Sequence, residues 1–295
     1  MESRAARILI RAGSAFALVF LYVPLAIVVL YAFNNSIGQS WPITSFTTKY
    51  FGLAWRNPLV REALFTSLEV GVAATVLALL LGSMAAFAVH RFHFFGRNSI
   101  SFVLVLPIAL PGIVTAMALN SAINTVGIPF SVLTIVIGHA TFCVVVVYNN
   151  VVARLRRTPT SLVEASMDLG ADGWQTFRFV TFPAIRTAIV AGALLAFALS
   201  FDEIVVTNFT SGTQLTIPKF IFNNVRQPRN RPIVNVVAVA LVLLSLIPVY
   251  FAQRLAGGAG LVGATASSRG DDGNDDGSSE DVSAAVLAEE SAGPG

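Results

Sequence analysis

The chain has 295 residues, of which 55 % are hydrophobic and 12 % charged, and its mean hydropathy of +0.73 excludes an ordinary water-soluble domain and points to a membrane. The net charge of +3 conceals an asymmetry: eight of the sixteen acidic residues (Asp271, Asp272, Asp275, Asp276, Glu280, Asp281, Glu289 and Glu290) lie in the last 25 positions, leaving 18 basic and 8 acidic side chains in residues 1–256. The single cysteine, Cys143, sits in an apolar run, so a disulfide framework or a CxxC metal site is excluded.

A bilayer core of roughly 30 Å takes about 20 apolar residues of helix. Six segments reach that length: about Gly13 to Phe33, Leu64 to Val89, Ile100 to Ala122, Phe130 to Tyr148, Ala188 to Val206 and Ile233 to Phe251. They predict an all-α membrane protein with an N-terminal segment over 1–12, a transmembrane domain over 13–256 and a tail over 257–295. Arg4, Arg7 and Arg11 precede the first span, but its apolar stretch is too long for a secretory signal and no A-x-A site follows, so it is read as a retained helix. Six spans put both termini on one side. If that side is the cytoplasm, the inner segments hold 12 Lys/Arg against 7 outside, as the positive-inside rule favours. Arg154, Arg156 and Arg157, directly after span four, are the clearest local signal; Lys219, Arg226, Arg229 and Arg231 in the last outer loop run against it.

In the outer loop after span one, Trp41, Tyr50 and Trp55 suit an interfacial or protein-facing position. Glu69 lies about five residues into span two, at 1.5 Å per residue some 6 to 8 Å below the outer boundary. In span three, Pro107 and Pro111 flank Ile108-Ala109-Leu110, and each removes a helix hydrogen bond. Either they kink a helix lining a path, or they are a packing feature whose freed carbonyls are satisfied by neighbours. Asn120, Asn124 and Asn208 read as interface amides. His139, near mid-membrane in span four beside Gly138 and Thr141, is either a proton-relay group or, the commoner case, a hydrogen-bonded core residue.

With the termini in the cytoplasm, Val151 to Thr187 is the longest cytoplasmic loop. Ser161-Leu-Val-Glu164 fits a capping box. Leu162, Ala165, Ser166 and Leu169 then share one helical face, and Gly170 is placed to end the helix in the left-handed conformation. Asp172-Gly-Trp-Gln175 repeats the cap signal. The expectation is two short helices meeting at a glycine corner, with Ala165, Ser166, Gly170 and Ala171 exposed for close approach by another surface and Pro183 closing the segment. Span five then carries Asp202 and Glu203 about four residues from its outer end, at the depth of Glu69. Acids inside a membrane are functional candidates by default; if those helices adjoin, the three would form an anionic ring of the kind that attracts cations. The other reading is that they sit in the interface or pair with Arg61, Arg226 or Arg229. From Gly257 the Gly/Ser/Asp-rich run has too little apolar surface to offset the entropy of ordering it, so a disordered acidic tail is expected.

Glu164-Ala165-Ser166, then Gly170, then Val180-Thr181-Phe182-Pro183 resembles the EAA loop of ATP-binding-cassette (ABC) importer permeases, whose pattern is EAA, three residues, G, nine residues, I-x-L-P. The spacing is kept throughout, with Ser166, Val180 and Phe182 as the departures. Tyr31-Ala-Phe-Asn34-Asn35-Ser36, Leu106-Pro107 through Pro111-Gly112, and Ala198 through Asp202-Glu203 to Thr207 are similar to the spermidine/putrescine type, specifically its second, C-type permease subunit. The resemblance covers about residues 8 to 255. It implies the six-helix type I importer fold and a coupling loop at about 158–183, in which Glu164, Ala165, Ser166, Gly170, Ala171 and Pro183 meet a separate ATPase. It also implies two copies of that ATPase with ATP and Mg bound there, a sibling permease and an extracytoplasmic substrate-binding protein. Membrane lipid surrounds the spans, and no nucleic-acid partner is expected.

The residues of the chain fit that division of labour. A P-loop needs GxxxxGK[ST], and the only lysines, Lys49 and Lys219, follow Thr48 and Pro218. His90, His93 and His139 have no HExxH spacing, and GxSxG is absent. No catalytic, metal or cofactor residue is therefore expected in this chain. On the path, the candidates are Asp202, Glu203, Glu69, Pro107 and Pro111, the acids suiting an oligo-ammonium cargo. Ferric iron or an amino acid is the alternative cargo. An autonomous secondary transporter, which would need internal repeats and broken helices around a midplane ion site, is the rival from another class.

Overall fold

A computed structural model describes residues 4–39, 41–92 and 95–268. The chain divides into two units, Met1–Gln253 and Arg254–Gly295. Twelve α-helices occur among the described residues: α1 Arg4–Ala32, α2 Lys49–Arg56, α3 Pro58–Arg91, α4 Arg97–Ala109, α5 Gly112–Val126, α6 Val132–Arg156, α7 Thr160–Asp168, α8 Gly173–Thr176, α9 Phe182–Phe201, α10 Val205–Thr210, α11 Ile217–Asn224 and α12 Arg231–Ser268. Among the described residues five helices are long and apolar enough to cross a membrane, or six if the bent pair α4 and α5 is one span.

The centre of the first unit is α3, α6 and α9, which pack mutually. Between helices surrounded by lipid there is little hydrophobic driving force, so close backbone approach through small residues does the work. On α3 the buried positions Ala63, Ser67, Gly71, Ala74, Ala78, Gly82 and Ala86 recur at intervals of three and four, forming one small-residue face. A Cβ at Gly82 would stand 2.8 Å from the Val144 carbonyl oxygen, and one at Gly192 of α9 would stand 3.4 Å from the Val147 Cα. Helix α6 is thus gripped from both sides, and most of its side chains are buried. A second apolar cluster joins α2, α11, the first turns of α3 and the start of α12 through Tyr50, Ala54, Val60, Ala63, Ile217, Phe220 and Val234. Asn57 starts α3, its Oδ1 accepting from the Leu59 N–H at 3.0 Å with Pro58 in the first helical position, where the missing N–H is not needed. Helix α1 differs from all of these: the rest of the chain covers almost none of its surface.

Several expectations require correction. The boundary at residue 12 falls inside α1. Span three is not one helix: α4 and α5 are bent by 107° at the break. Leu110 is extended (φ −83°, ψ 148°) because Pro111 follows it, and a residue before proline is driven out of the helical region. Span five ends at Phe201 rather than Val206, so Asp202 and Glu203 lie in the break before α10 and not inside a helix. Pro183 does not close the preceding segment either. The chain runs from α8 through a π-helical turn, Phe177–Thr181, directly into α9, with the Phe182 N–H donating to the Phe177 carbonyl. The wide turn lies where Pro183 offers no N–H, and local π geometry is the usual accommodation for such a gap. The tail expected from Gly257 is helical as far as Ser268, since extending an existing helix is far easier than nucleating one. The acidic run beyond it lies outside the described residues.

Candidate functional site

Two regions carry the sequence candidates, one at each end of α9. Before its N-terminal end, α7 and α8 meet at Gly170, whose φ is +87°. The Gly170 N–H donates to the Met167 carbonyl at 2.9 Å and the Ala171 N–H to the Ser166 carbonyl at 3.0 Å. Both bonds define a Schellman turn, which glycine alone enters without strain. The second cap forms as read: Asp172 Oδ1 accepts from the Gln175 N–H at 2.8 Å and Gln175 Oε1 from the Asp172 N–H at 3.0 Å. The first does not. Pro159 holds the N-cap position with an extended backbone, and α7 begins at Thr160, which places Ser161 inside the first turn where its hydroxyl cannot cap.

Of the small residues expected on the outside, Ala165 and Gly170 are exposed, whereas Ala171 and Ser166 are half-buried. Ser166 turns inward, its Oγ 2.9 Å from Thr176 Oγ1 and donating to the Val163 carbonyl at 2.8 Å. That hydroxyl pair ties α7 to α8. Glu164 is exposed. Around the corner Leu162, Met167, Leu169 and Trp174 also face outward, Leu169 at 89 % and Trp174 at 67 % exposure. Behind them Phe177 packs against Trp174, Phe182 and Phe87 with ring centroids 5.4 to 6.1 Å apart, and Arg154 Nε donates to the Ala184 carbonyl at 2.9 Å. The corner is a rigid, aromatic-backed knob with an uncovered apolar surface, the mark of a contact site.

After the C-terminal end of α9, Asp202 is exposed and Glu203 half-buried. Glu203 has a local duty as well as a charge: its Oε1 accepts from the Val206 N–H at 3.0 Å, starting α10. Helices α3 and α9 adjoin, a Cβ at Gly71 standing 3.0 Å from the Phe197 ring, but position 69 lies about 200° around α3 from Gly71, on the side turned away from that contact. Glu69, two positions from Gly71, is exposed. Pro107 lies inside α4 and Pro111 caps α5, its carbonyl accepting from Val114 and Thr115. Beside α10, a polar cleft of about 530 Å³ is lined by Met117, Asn120, Ser121, Asn124, Thr125 and Phe209. There Asn120 donates to the Phe209 carbonyl and Asn124 to Asn120 Oδ1, so these amides tie α5 to α10. Tyr50, expected at the surface, is instead buried and donates to the Asn35 carbonyl at 3.1 Å; Trp41 and Trp55 are exposed. Outside the spans, Lys219 Nζ donates to Ser211 Oγ and to the carbonyls of Gly212 and Gln214, and burial holds its ammonium below the usual lysine range.

His139 is the core residue of the two readings offered for it, 1 % exposed and bonded through both nitrogens to Ser200 and Thr207, 2.8 Å away in each case. Neither hydroxyl was singled out in the sequence. A histidine in an apolar span needs two partners, and hydroxyls in neighbouring spans were the only signal available.

The profile of the family described as "Binding-protein-dependent transport system inner membrane component" matches residues 78–257. Over 228 residues the chain is 35 % identical to the putrescine transport system permease protein PotI of Escherichia coli (strain K12), covering 74 % of this chain and 80 % of that one. It is 34 % identical over 251 residues to the spermidine/putrescine transport system permease protein PotC of the same strain, covering 84 % and 94 %. Among solved structures, a chain of a bacterial ABC transporter involved in the import of the acidic polysaccharide alginate superposes with a TM-score of 0.66 at 15 % identity, covering 86 % of this chain and 98 % of that one.

Proposed function

The chain belongs to the family of binding-protein-dependent transport system inner membrane components, and from that premise we propose that it moves putrescine or spermidine inward as a permease subunit of an ATP-driven importer. It is a membrane-embedded subunit of the type I permease fold; the ATPase and the substrate-binding protein are separate partners. The reading extends to two ATPase copies with ATP and Mg bound there, a sibling permease and cytoplasmic termini. Its support is the arginine bias and the names of the relatives.

The observation that carries the proposal is the glycine-cornered knob. Its backbone is fixed by the Schellman turn, the Asp172–Gln175 box and the Ser166–Thr176 hydroxyl pair, yet Leu162, Met167, Leu169 and Trp174 leave large apolar surface uncovered. A rigid apolar knob on the inner side suits a groove on an ATPase. Glu164, Ala165, Ser166, Gly170, Ala171 and Pro183 are its coupling residues, two of them (Ser166 and Pro183) by shaping the knob from within. Closure of two ATPases around ATP would draw such knobs together, open the cavity outward, admit cargo from the binding protein and reset on hydrolysis.

For the cargo path the candidates are Asp202, Glu203 and Glu69, with the Pro107–Pro111 break bending the adjoining passage. An oligo-ammonium solute leaving water needs anionic partners that replace its hydration, and carboxylates near the mouth of a pathway supply them. The test is uptake of labelled putrescine and spermidine into proteoliposomes holding the assembled complex and its binding protein, with amino acids and ferric iron as competitors. Saturable, ATP-dependent polyamine uptake is expected. ATP-dependent uptake of another solute would retain the importer and discard the cargo, and uptake without the ATPase would discard the importer.

A further inference from the structure

His139 of α6 bridges the two helix ends that flank the acidic pair. Its Nδ1 lies 2.8 Å from Ser200 Oγ, in the last turn of α9, and its Nε2 lies 2.8 Å from Thr207 Oγ1, in α10. Asp202 and Glu203 fall between those hydroxyls. Thr207 Oγ1 is also placed to donate to the Glu203 carbonyl at 2.7 Å. With its one hydrogen there, Nε2 donating to Thr207 and Nδ1 accepting from Ser200 satisfy a neutral imidazole and both hydroxyls.

Two further holds keep α10 against α6. Thr134 Oγ1 lies 2.7 Å from the Thr210 carbonyl oxygen, and Gly138 leaves no room for a Cβ, which would come within 2.8 Å of Val206 Cγ1. Burying an imidazole among apolar side chains costs free energy that a leucine would not. What the imidazole adds is direction: it joins Ser200, Thr207 and, through Thr207, the Glu203 carbonyl across a gap in the helix. We propose that His139 is a positioning residue that fixes the break between α9 and α10 and thereby the placement of the Asp202 and Glu203 carboxylates toward the cargo. The inference rests on the polyamine reading for what those carboxylates do, and not for what holds them.

The test uses the complete complex in proteoliposomes and compares His139→Leu with His139→Gln, which keeps a donor for Thr207. Leucine is expected to leave assembly at the normal yield, to lower putrescine uptake about tenfold or more, as misplacement of reacting groups does, and to speed amide hydrogen exchange selectively over residues 203–210. Glutamine is expected to recover most of the uptake and the slow exchange. Adding Asp202→Asn to His139→Leu should lower uptake no further than Asp202→Asn alone, because both changes remove the same function. Uptake within twofold of normal in His139→Leu would overturn the proposal, and so would a loss of exchange protection spread over the whole bundle, the sign of a general packing role. If His139→Leu fails to assemble, Thr207→Val provides the same comparison. If Asp202→Asn transports putrescine normally, Asp202 leaves the acidic path while the polyamine cargo stands, and the exchange pattern of His139→Leu decides: faster exchange confined to 203–210 upholds the positioning role, unchanged exchange rejects it.

Discussion

Gly82 lies so close to Val144 that a Cβ built on it would stand 2.8 Å from the Val144 carbonyl oxygen and 3.1 Å from the Tyr148 backbone nitrogen. The obstruction is backbone, so no rotamer change relieves it. Gly82→Val is expected to force α3 away from α6 and to lower stability by about 1–3 kcal/mol, the usual range for overpacking. Gly52→Ala, whose Cβ would meet nothing within 4 Å, is the control. Thermal unfolding of the detergent-solubilised complex should separate the two; equal melting temperatures would contradict the close crossing.

At Gly138 the obstruction is a side chain instead, since a Cβ there would stand 2.8 Å from Val206 Cγ1. Gly138→Ala should reduce uptake by pushing α10 outward, and Val206→Ala in the same chain should restore much of it by removing the obstructing Cγ1. Coupling of this kind is expected only for residues in contact. Additive losses in the double variant would show that the two positions do not meet.

At the inner corner nothing lies within 4 Å of a Cβ on Gly170, and only its φ of +87° resists substitution. Gly170→Val should cost about 1–2 kcal/mol of local backbone strain and loosen the Schellman turn without touching the membrane core. The expected result is less copurified ATPase and less uptake at an unchanged level of the chain in the membrane. Trp174→Glu, which leaves the corner intact but charges its apolar surface, should lose the ATPase as well. Normal ATPase recovery in both variants would remove the knob from the coupling interface.

The two acids at the break call for different substitutions. Glu203→Gln keeps an oxygen to accept from the Val206 N–H and removes only the charge, whereas Glu203→Ala removes the cap too, worth about 1 kcal/mol. If charge matters to the cargo, uptake falls in both and α10 loosens only in alanine. At Asp202 the amide keeps the shape and an accepting oxygen of the carboxylate and removes only its charge, so Asp202→Asn should lower uptake about tenfold with no change in melting. Uptake unaffected by Asp202→Asn would remove the strongest member of the proposed acidic path.

The inner corner was legible because its determinants are local. Gly170, Asp172 and Gln175 act within a few residues of themselves, and their caps form as the spacing predicts. Ser161 misled for an equally local reason, since Pro159 moves the helix start and leaves the serine inside it. The bend in span three was legible in kind from Pro111, but its 107° depends on what packs around α4 and α5. The break after Phe201 was hidden, because Ile204, Val205 and Val206 continue the apolar run and hydropathy does not register a missing hydrogen bond. His139 showed least of all: its partners lie 61 and 68 positions away, and no periodicity in its own helix points to them.

The uninterrupted passage from α8 through the π turn into α9 has a mechanical consequence. From Gly173 to Phe201 it is one helical run of 29 residues, about 40 Å long at the helical rise, with no loop along it. The Gly170 corner sits at one end and the Asp202–Glu203 break at the other. A push or twist on the inner end arrives at the outer end as movement of the same lever, so the gap before α10 is the first place along it where motion can be converted into a change of shape.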